Sequence, residues 1–90
     1  MGVSSIKMKL MPASPETNLE EVRTKAKEII ENLEGKTPNF EENPIAFGLK
    51  ELIIFFNLDE SKDVEVIENK LKEIENVNSA EVLEVRRAFG

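Results

Sequence analysis

Polar and apolar residues alternate from Ser5 to Leu10, with Ile6, Met8 and Leu10 on one side and Ser5, Lys7 and Lys9 on the other. That is the period of a half-buried strand. Pro12 ends the run, and beyond a turn from Pro12 to Pro15 the period changes. Asn18 followed by Glu21 has the spacing of a helix cap and capping box; Leu19, Val22, Ala26, Ile29, Ile30 and Leu33 then share one helical face, and Gly35 supplies the stop. Lys36 to Glu42 is weakly patterned, with Pro38 and a single Phe40. It reads as an edge strand, where proline and poor pairing are tolerated. Leu49 to Leu58 is the strongest strand, with Leu52, Ile54, Phe56 and Leu58 on one side and Ile53 and Phe55 on the other. Apolar residues on both sides predict a central place in a sheet. Asp63 caps a second helix in which Val64, Ile67, Leu71 and Ile74 share a face and Glu68 stands four residues before Lys72, the favourable order for an ion pair. Val77 to Val85 closes the chain as a last strand. Its apolar residues change parity along the way, which a bulge near Leu83 reconciles.

The predicted order is strand, helix, strand, strand, helix, strand, and each helix has one apolar face. Right-handed crossovers then place both helices on one side of a four-stranded antiparallel sheet, an α+β arrangement of the ferredoxin-like kind with the first and third strands in the middle. Residues 1–90 are expected to form one domain, because a chain this short buries only roughly 60 to 65% of its unfolded surface and needs all of it for one core.

Composition narrows the chemistry. The chain has no cysteine and no histidine, so thiolate metal sites, disulfides and the commonest general base are absent. The acid pairs Glu20/Glu21, Glu41/Glu42 and Asp59/Glu60 each lie at or beside an element boundary, and adjacent residues do not converge on one point, so they read as solvated surface. The glycines at 2, 35, 48 and 90 are scattered and form no phosphate-binding motif. We expect no covalent chemistry, no metal and no cofactor. A formal charge of −6 disfavours nucleic acid and anionic membranes and points to a neutral or basic protein surface as partner. Sheets that bind RNA stack bases on several exposed aromatics, whereas the outward face here offers Phe55 at most. No apolar run approaches the roughly 18 residues of a membrane span, and the opening residues lack a secretory hydrophobic region, so a soluble, cytoplasmic protein is expected; we also expect a monomer.

Two features remain as candidate contact sites. The segment Pro44-Ile45-Ala46-Phe47-Gly48-Leu49-Lys50 puts a large aromatic in a turn between two strands. Apolar side chains in loops stay wet unless something covers them, so the Phe47 ring either folds back onto its own core or is taken by a partner. The other feature is Arg86-Arg87 at the end of the last strand, followed by Phe89. Strand alternation sends the two arginines in opposite directions, so at most one reaches a given site.

That heptapeptide, with Lys9-Leu10-Met11-Pro12 leading to Asn18-Leu19-Glu20-Glu21 and the ending from Val77-Asn78-Ser79-Ala80-Glu81-Val82 through Val85-Arg86-Arg87, resembles the translation elongation factor 1-beta family in its short archaeal form. The resemblance covers nearly the whole chain and implies a ferredoxin-like guanine nucleotide exchange factor for elongation factor 1-alpha. Eukaryotic members carry this domain at the end of a longer chain. In such relatives the turn bearing the motif's Phe touches the GTPase, and a basic residue close to the C-terminus reaches toward the magnesium and switch regions. By resemblance, Phe47 and its neighbours Pro44, Ile45, Ala46, Gly48, Leu49 and Lys50 take the first role. Arg87, with Arg86 as the alternative, takes the second, where Lys is typical of eukaryotic members. Two other readings of the residues stay open: a small-molecule-sensing regulatory domain, and a scaffold that joins proteins through an outward sheet face bearing Ile53 and Phe55.

Overall fold

A computed structural model describes residues 2–89. In chain order the elements are strand β1 (Val3–Pro12), helix α1 (Leu19–Asn32), strand β2 (Lys36–Pro44), a short 3-10 turn (Ala46–Gly48), strand β3 (Lys50–Asp59), helix α2 (Val64–Lys72) and strand β4 (Val77–Phe89). The antiparallel sheet has the order β2-β3-β1-β4, so the two best-patterned strands occupy the middle and both helices pack on one face. The predicted ferredoxin-like arrangement is the one observed.

The core follows from the alternation. Ile6, Met8 and Leu10 of β1 and Leu52, Ile54, Phe56 and Leu58 of β3 are buried beneath Val22, Ala26 and Ile30 of α1 and Ile67 and Leu71 of α2, with Ile74 and Ala80 completing the cluster. Both helices start where their caps predict. Asn18 Oδ1 accepts the backbone N–H groups of Glu20 and Glu21 at 3.0 and 3.3 Å, and Asp63 Oδ1 accepts that of Glu65 at 2.9 Å. Each cap satisfies donors that the first helical turn leaves unpaired. Replacing Asn18 with alanine is expected to cost about 1 kcal/mol, read as a lower denaturation midpoint with an unchanged slope.

The end of α1 differs from its sequence reading. Helix termination does not use Gly35 for a left-handed turn, because Glu34 takes that conformation at φ 70°. Glu34 N–H donates to Glu31 O at 3.1 Å and Gly35 N–H to Ile30 O at 2.7 Å, the paired bonds of a Schellman cap. Gly35 is needed for space instead: a Cβ there would lie 2.3 Å from Ile30 Cγ2 and 3.2 Å from Phe56 Cδ2. Lys62 Nζ meets the Glu34 carboxylate at 2.6 Å, and this hydrogen bond and charge hold the carboxyl below its usual range and the ammonium above its own.

Both edges of the sheet are irregular. β2 breaks register between Lys36 and Asn39, where Thr37 has φ 48° beside Pro38. In β4, Lys7 pairs with Glu84 but Met8 with Val82, leaving Leu83 as the extra residue of the expected bulge. Further register shifts leave Asn78 and Ala88 unpaired in the same way. Glu68, expected to pair with Lys72, turns instead to β4, where Glu68 Oε2 accepts the Val82 N–H at 3.3 Å. A strand-edge donor outbids a solvated ammonium because an exposed helical ion pair contributes only about 0.3–0.5 kcal/mol.

Candidate functional site

The β2–β3 connection is a tight turn closed by Ile45 N–H to Leu49 O at 2.8 Å and Leu49 N–H to Ala46 O at 3.3 Å. Inside it Phe47 has φ 62° and Gly48 φ 77°. Gly48 adopts that conformation freely, whereas for Phe47 the left-handed region costs about 1–2 kcal/mol. The backbone therefore holds the ring out: Phe47 is 92% exposed, and Ile45 beside it is 37% exposed. Of the two outcomes open at the sequence level, the ring does not fold back onto the core. Pro44, Ala46, Gly48 and Lys50 are also exposed and Leu49 is half-buried, so the heptapeptide forms one protruding tip. Beneath it, Arg23 Nη2 bonds Glu42 Oε2 at 2.6 Å, tying α1 to β2 along one wall of a cleft of about 370 Å³ that Pro15, Gly48 and Lys50 also line.

The two arginines occupy the opposite end of the sheet. Arg86 pairs with Ser5 and Arg87 with Ser4, so they face opposite sides, as alternation requires. Arg86 shares the open face with Glu84 and meets its carboxylate at 3.2 Å. Arg87 lies on the helix-bearing side, beside the turn that follows β3, and its Nη2 is 3.0 Å from Glu60 Oε2. Ser4 in turn stands opposite Leu58, and the eight steps from there back to Lys50 put Arg87 about 25 Å from the Phe47 turn at ~3.3 Å per strand residue. One small ligand cannot touch both; a macromolecule can. Phe89 pairs with Val3 at the end of β4.

The remaining candidate groups lie at separate places in the fold. Glu20 and Glu21 sit in the first turn of α1. Glu42 holds Arg23 while Glu41 faces Ile53 across the sheet's open side. Asp59 Oδ1 accepts the Ser61 N–H at 2.9 Å, and the bonds from Ser61 keep the Asp59 carboxyl below its ordinary range. Among the described residues, no cluster of acidic side chains could hold a metal ion.

The open sheet face is not the apolar surface that a scaffold would need. Ile53 is only 4% exposed, lying between Lys9 on β1 and Glu41 on β2, and the Lys7 ammonium stands 5.7 Å from the centroid of the half-buried Phe55 ring. Lys9 Nζ meets Glu81 at 3.3 Å across the same face. The aliphatic stems of these long side chains cover what the sequence pattern left looking bare. No helix among the described residues is long and apolar enough to cross a membrane.

Fold and surface together define a small α+β protein, with a bare aromatic tip at one end of its sheet and an arginine on a carboxylate at the other. Residues 5–88 match the EF-1 guanine nucleotide exchange domain family. Elongation factor 1-beta of Methanocaldococcus jannaschii is 39% identical over 89 residues, covering 98% of this chain and 100% of that protein. The Nanoarchaeum equitans elongation factor 1-beta is 39% identical over 82 residues (90% of this chain, 100% of the relative), and that of Methanococcus aeolicus is 36% identical over 86 (94% and 97%). The chain belongs to the EF-1 guanine nucleotide exchange domain family, as the resemblance implied. Among solved structures, 30S ribosomal protein S6 of Thermotoga maritima matches with a TM-score of 0.62 at 16% identity over 99% of this chain and 90% of its own. The ACT domain from GTP pyrophosphokinase of Chlorobium tepidum matches with a TM-score of 0.59 at 14% identity (88% of this chain, 96% of its own). At such identities these two share the fold alone.

Proposed function

We propose that the protein promotes release of GDP from elongation factor 1-alpha in the cytoplasm, so that GTP can take its place during translation elongation. Family membership supports the exchange role. The observation that carries the contact surface is Phe47: a 92% exposed aromatic on a left-handed backbone has no use within its own domain. Burial in a partner offsets both the wet ring and the backbone strain.

No covalent step is involved. A GTPase holds GDP through backbone amides, a lysine on the phosphates and magnesium. A protein that binds the emptied GTPase more tightly than the filled one must, by linkage, weaken the GTPase's hold on nucleotide by the same factor, and that weakening drives release. The Phe47 tip, Pro44 to Lys50, supplies apolar anchoring. Arg87, about 25 Å away along the sheet, places positive charge near the magnesium site and disfavours the ion. Arg86, turned to the open face and paired with Glu84, is the lesser candidate.

Elongation factor 1-alpha loaded with a fluorescent GDP tests this. Catalytic amounts of the protein are expected to accelerate release into excess GTP, and calorimetry is expected to show tighter binding to the nucleotide-free GTPase. Unchanged release together with equal affinity for both forms would overturn the proposal.

A further inference from the structure

Resting on that reading of Arg87, we infer that Glu60 is a positioning residue, which fixes the Arg87 guanidinium at the end of the sheet before the partner arrives. The backbone of the turn that carries Glu60 is tied by several hydrogen bonds. Glu60 N–H donates to Gly2 O at 3.1 Å, which ties the turn to the start of β1. Asp59 accepts from Ser61 N–H through its side chain at 2.9 Å and from Lys62 N–H through its backbone carbonyl at 2.9 Å. Lys62 is held by Glu34 at 2.6 Å, and Asp63 caps α2. The Glu60 backbone is thus anchored, whereas the Arg87 side chain is 65% exposed and loses rotamer freedom only through its contact with that carboxylate.

The Nη2 to Oε2 ion pair at 3.0 Å draws the Arg87 side chain toward the β3–α2 turn. Register places Arg87 on the helix-bearing side, level with Ser4 and Leu58, which is where the β3–α2 turn rises beside it. Among the described residues Arg86, one residue earlier, meets Glu84 of its own strand, two residues away and itself exposed. The asymmetry assigns the ordered guanidinium to Arg87.

An arginine suits this better than a lysine. A guanidinium has five donors in a planar fork, so one edge can face Glu60 while the others face a partner, whereas an ammonium gathers its three donors on one compact centre. Glu60 thus sets the orientation at the moment of docking and leaves the Phe47 tip, at the far end of the sheet, untouched.

The test uses Glu60→Gln, which removes the charge and keeps the shape, with Arg87→Ala and the double variant. Exposed ion pairs contribute about 0.2–1 kcal/mol, so Glu60→Gln is expected to slow the GDP release that the protein stimulates by about 1.5–5-fold at saturation, with little change in the concentration needed for half-maximal effect. In the Arg87→Ala background the same change is expected to do nothing further. Glu60→Asp, which keeps the carboxylate, is expected to recover part of the rate. In the free protein, nitrogen relaxation at Arg87 Nε is expected to show greater mobility in Glu60→Gln than in the unaltered chain. Unchanged Arg87 mobility, faster release, or an equal loss in the Arg87→Ala background would each overturn the assignment to Glu60. If the unaltered protein fails to stimulate release, the exchange reading itself falls, and that result is separate from the three above.

Discussion

Replacing Phe47 with alanine is expected to lower affinity for nucleotide-free elongation factor 1-alpha by at least tens of fold while leaving the fold intact. A buried aromatic anchor at a protein interface contributes about 2 kcal/mol or more, which is roughly 30-fold in affinity. The ring is 92% exposed in the free protein, so its removal takes nothing from the core. Glycine at the same position separates the two effects more sharply. It removes the ring and also relieves the left-handed strain at φ 62°, so Phe47→Gly is expected to raise thermal stability by up to about 1 kcal/mol, a shift of a few degrees. Its exchange activity is expected to be as poor as that of the alanine variant. A thermal melt beside a nucleotide-release assay reads both. Wild-type release by Phe47→Ala would remove the tip from the docking surface.

The largest stability loss is expected from a single added carbon. Gly35→Ala places a Cβ 2.3 Å from Ile30 Cγ2 and 3.0 Å from Ile30 O, and the next neighbour, Phe56, belongs to the central strand. Neither the helix carbonyl nor the core ring can retreat cheaply. Overpacking of this kind costs about 2–3 kcal/mol, so the melting midpoint is expected to fall by roughly 10–20 °C in a domain of this size. Ile30→Leu removes the offending Cγ2 branch. The double variant Gly35→Ala with Ile30→Leu is therefore expected to lose less than the sum of the two single changes, by about 1 kcal/mol in a double-mutant cycle. Strict additivity would show that the clash is not what destabilises the protein.

Periodicity made the fold legible because the core of a four-stranded sheet is written at alternate positions of β1 and β3 and at helical spacing in α1 and α2. Even the bulge at Leu83 was visible, since Ala80 and Val82 have the opposite parity to Val85 and the register confirms one extra residue between them. Side-chain pairings between distant segments were less legible. Ile53 looked like an outward apolar residue, but flanking Lys9 and Glu41 bring it to 4% exposure, a contact between strands that one strand's pattern does not contain. Glu68 looked committed to Lys72 by spacing, and only the approach of α2 to β4 offers it the Val82 N–H. Gly35 looked like a conventional helix stop, while Glu34 carries the left-handed turn and Gly35 makes room for Ile30.

At the candidate site the same division holds. The sequence singled out Phe47 and Arg87 but left the ring's direction open, because a bulky residue rarely takes positive φ and Gly48 was the natural choice for it. Here both residues take it. Glu60, read as half of a solvated acid pair, is separated from Arg87 by the whole of α2 and most of β4, so no local motif marks the contact between them.

The extra residues at Asn78, Leu83 and Ala88, together with the Glu68 carboxylate on Val82 and the break at Thr37 and Pro38, leave neither border of the sheet with an unbroken row of backbone groups. Another chain has no continuous rail along which to zip, so stacking into ribbons or fibrils is discouraged at both flanks. On the proposed reading a partner is met by side chains at the Phe47 tip and at the far end of the sheet, and not by an added strand.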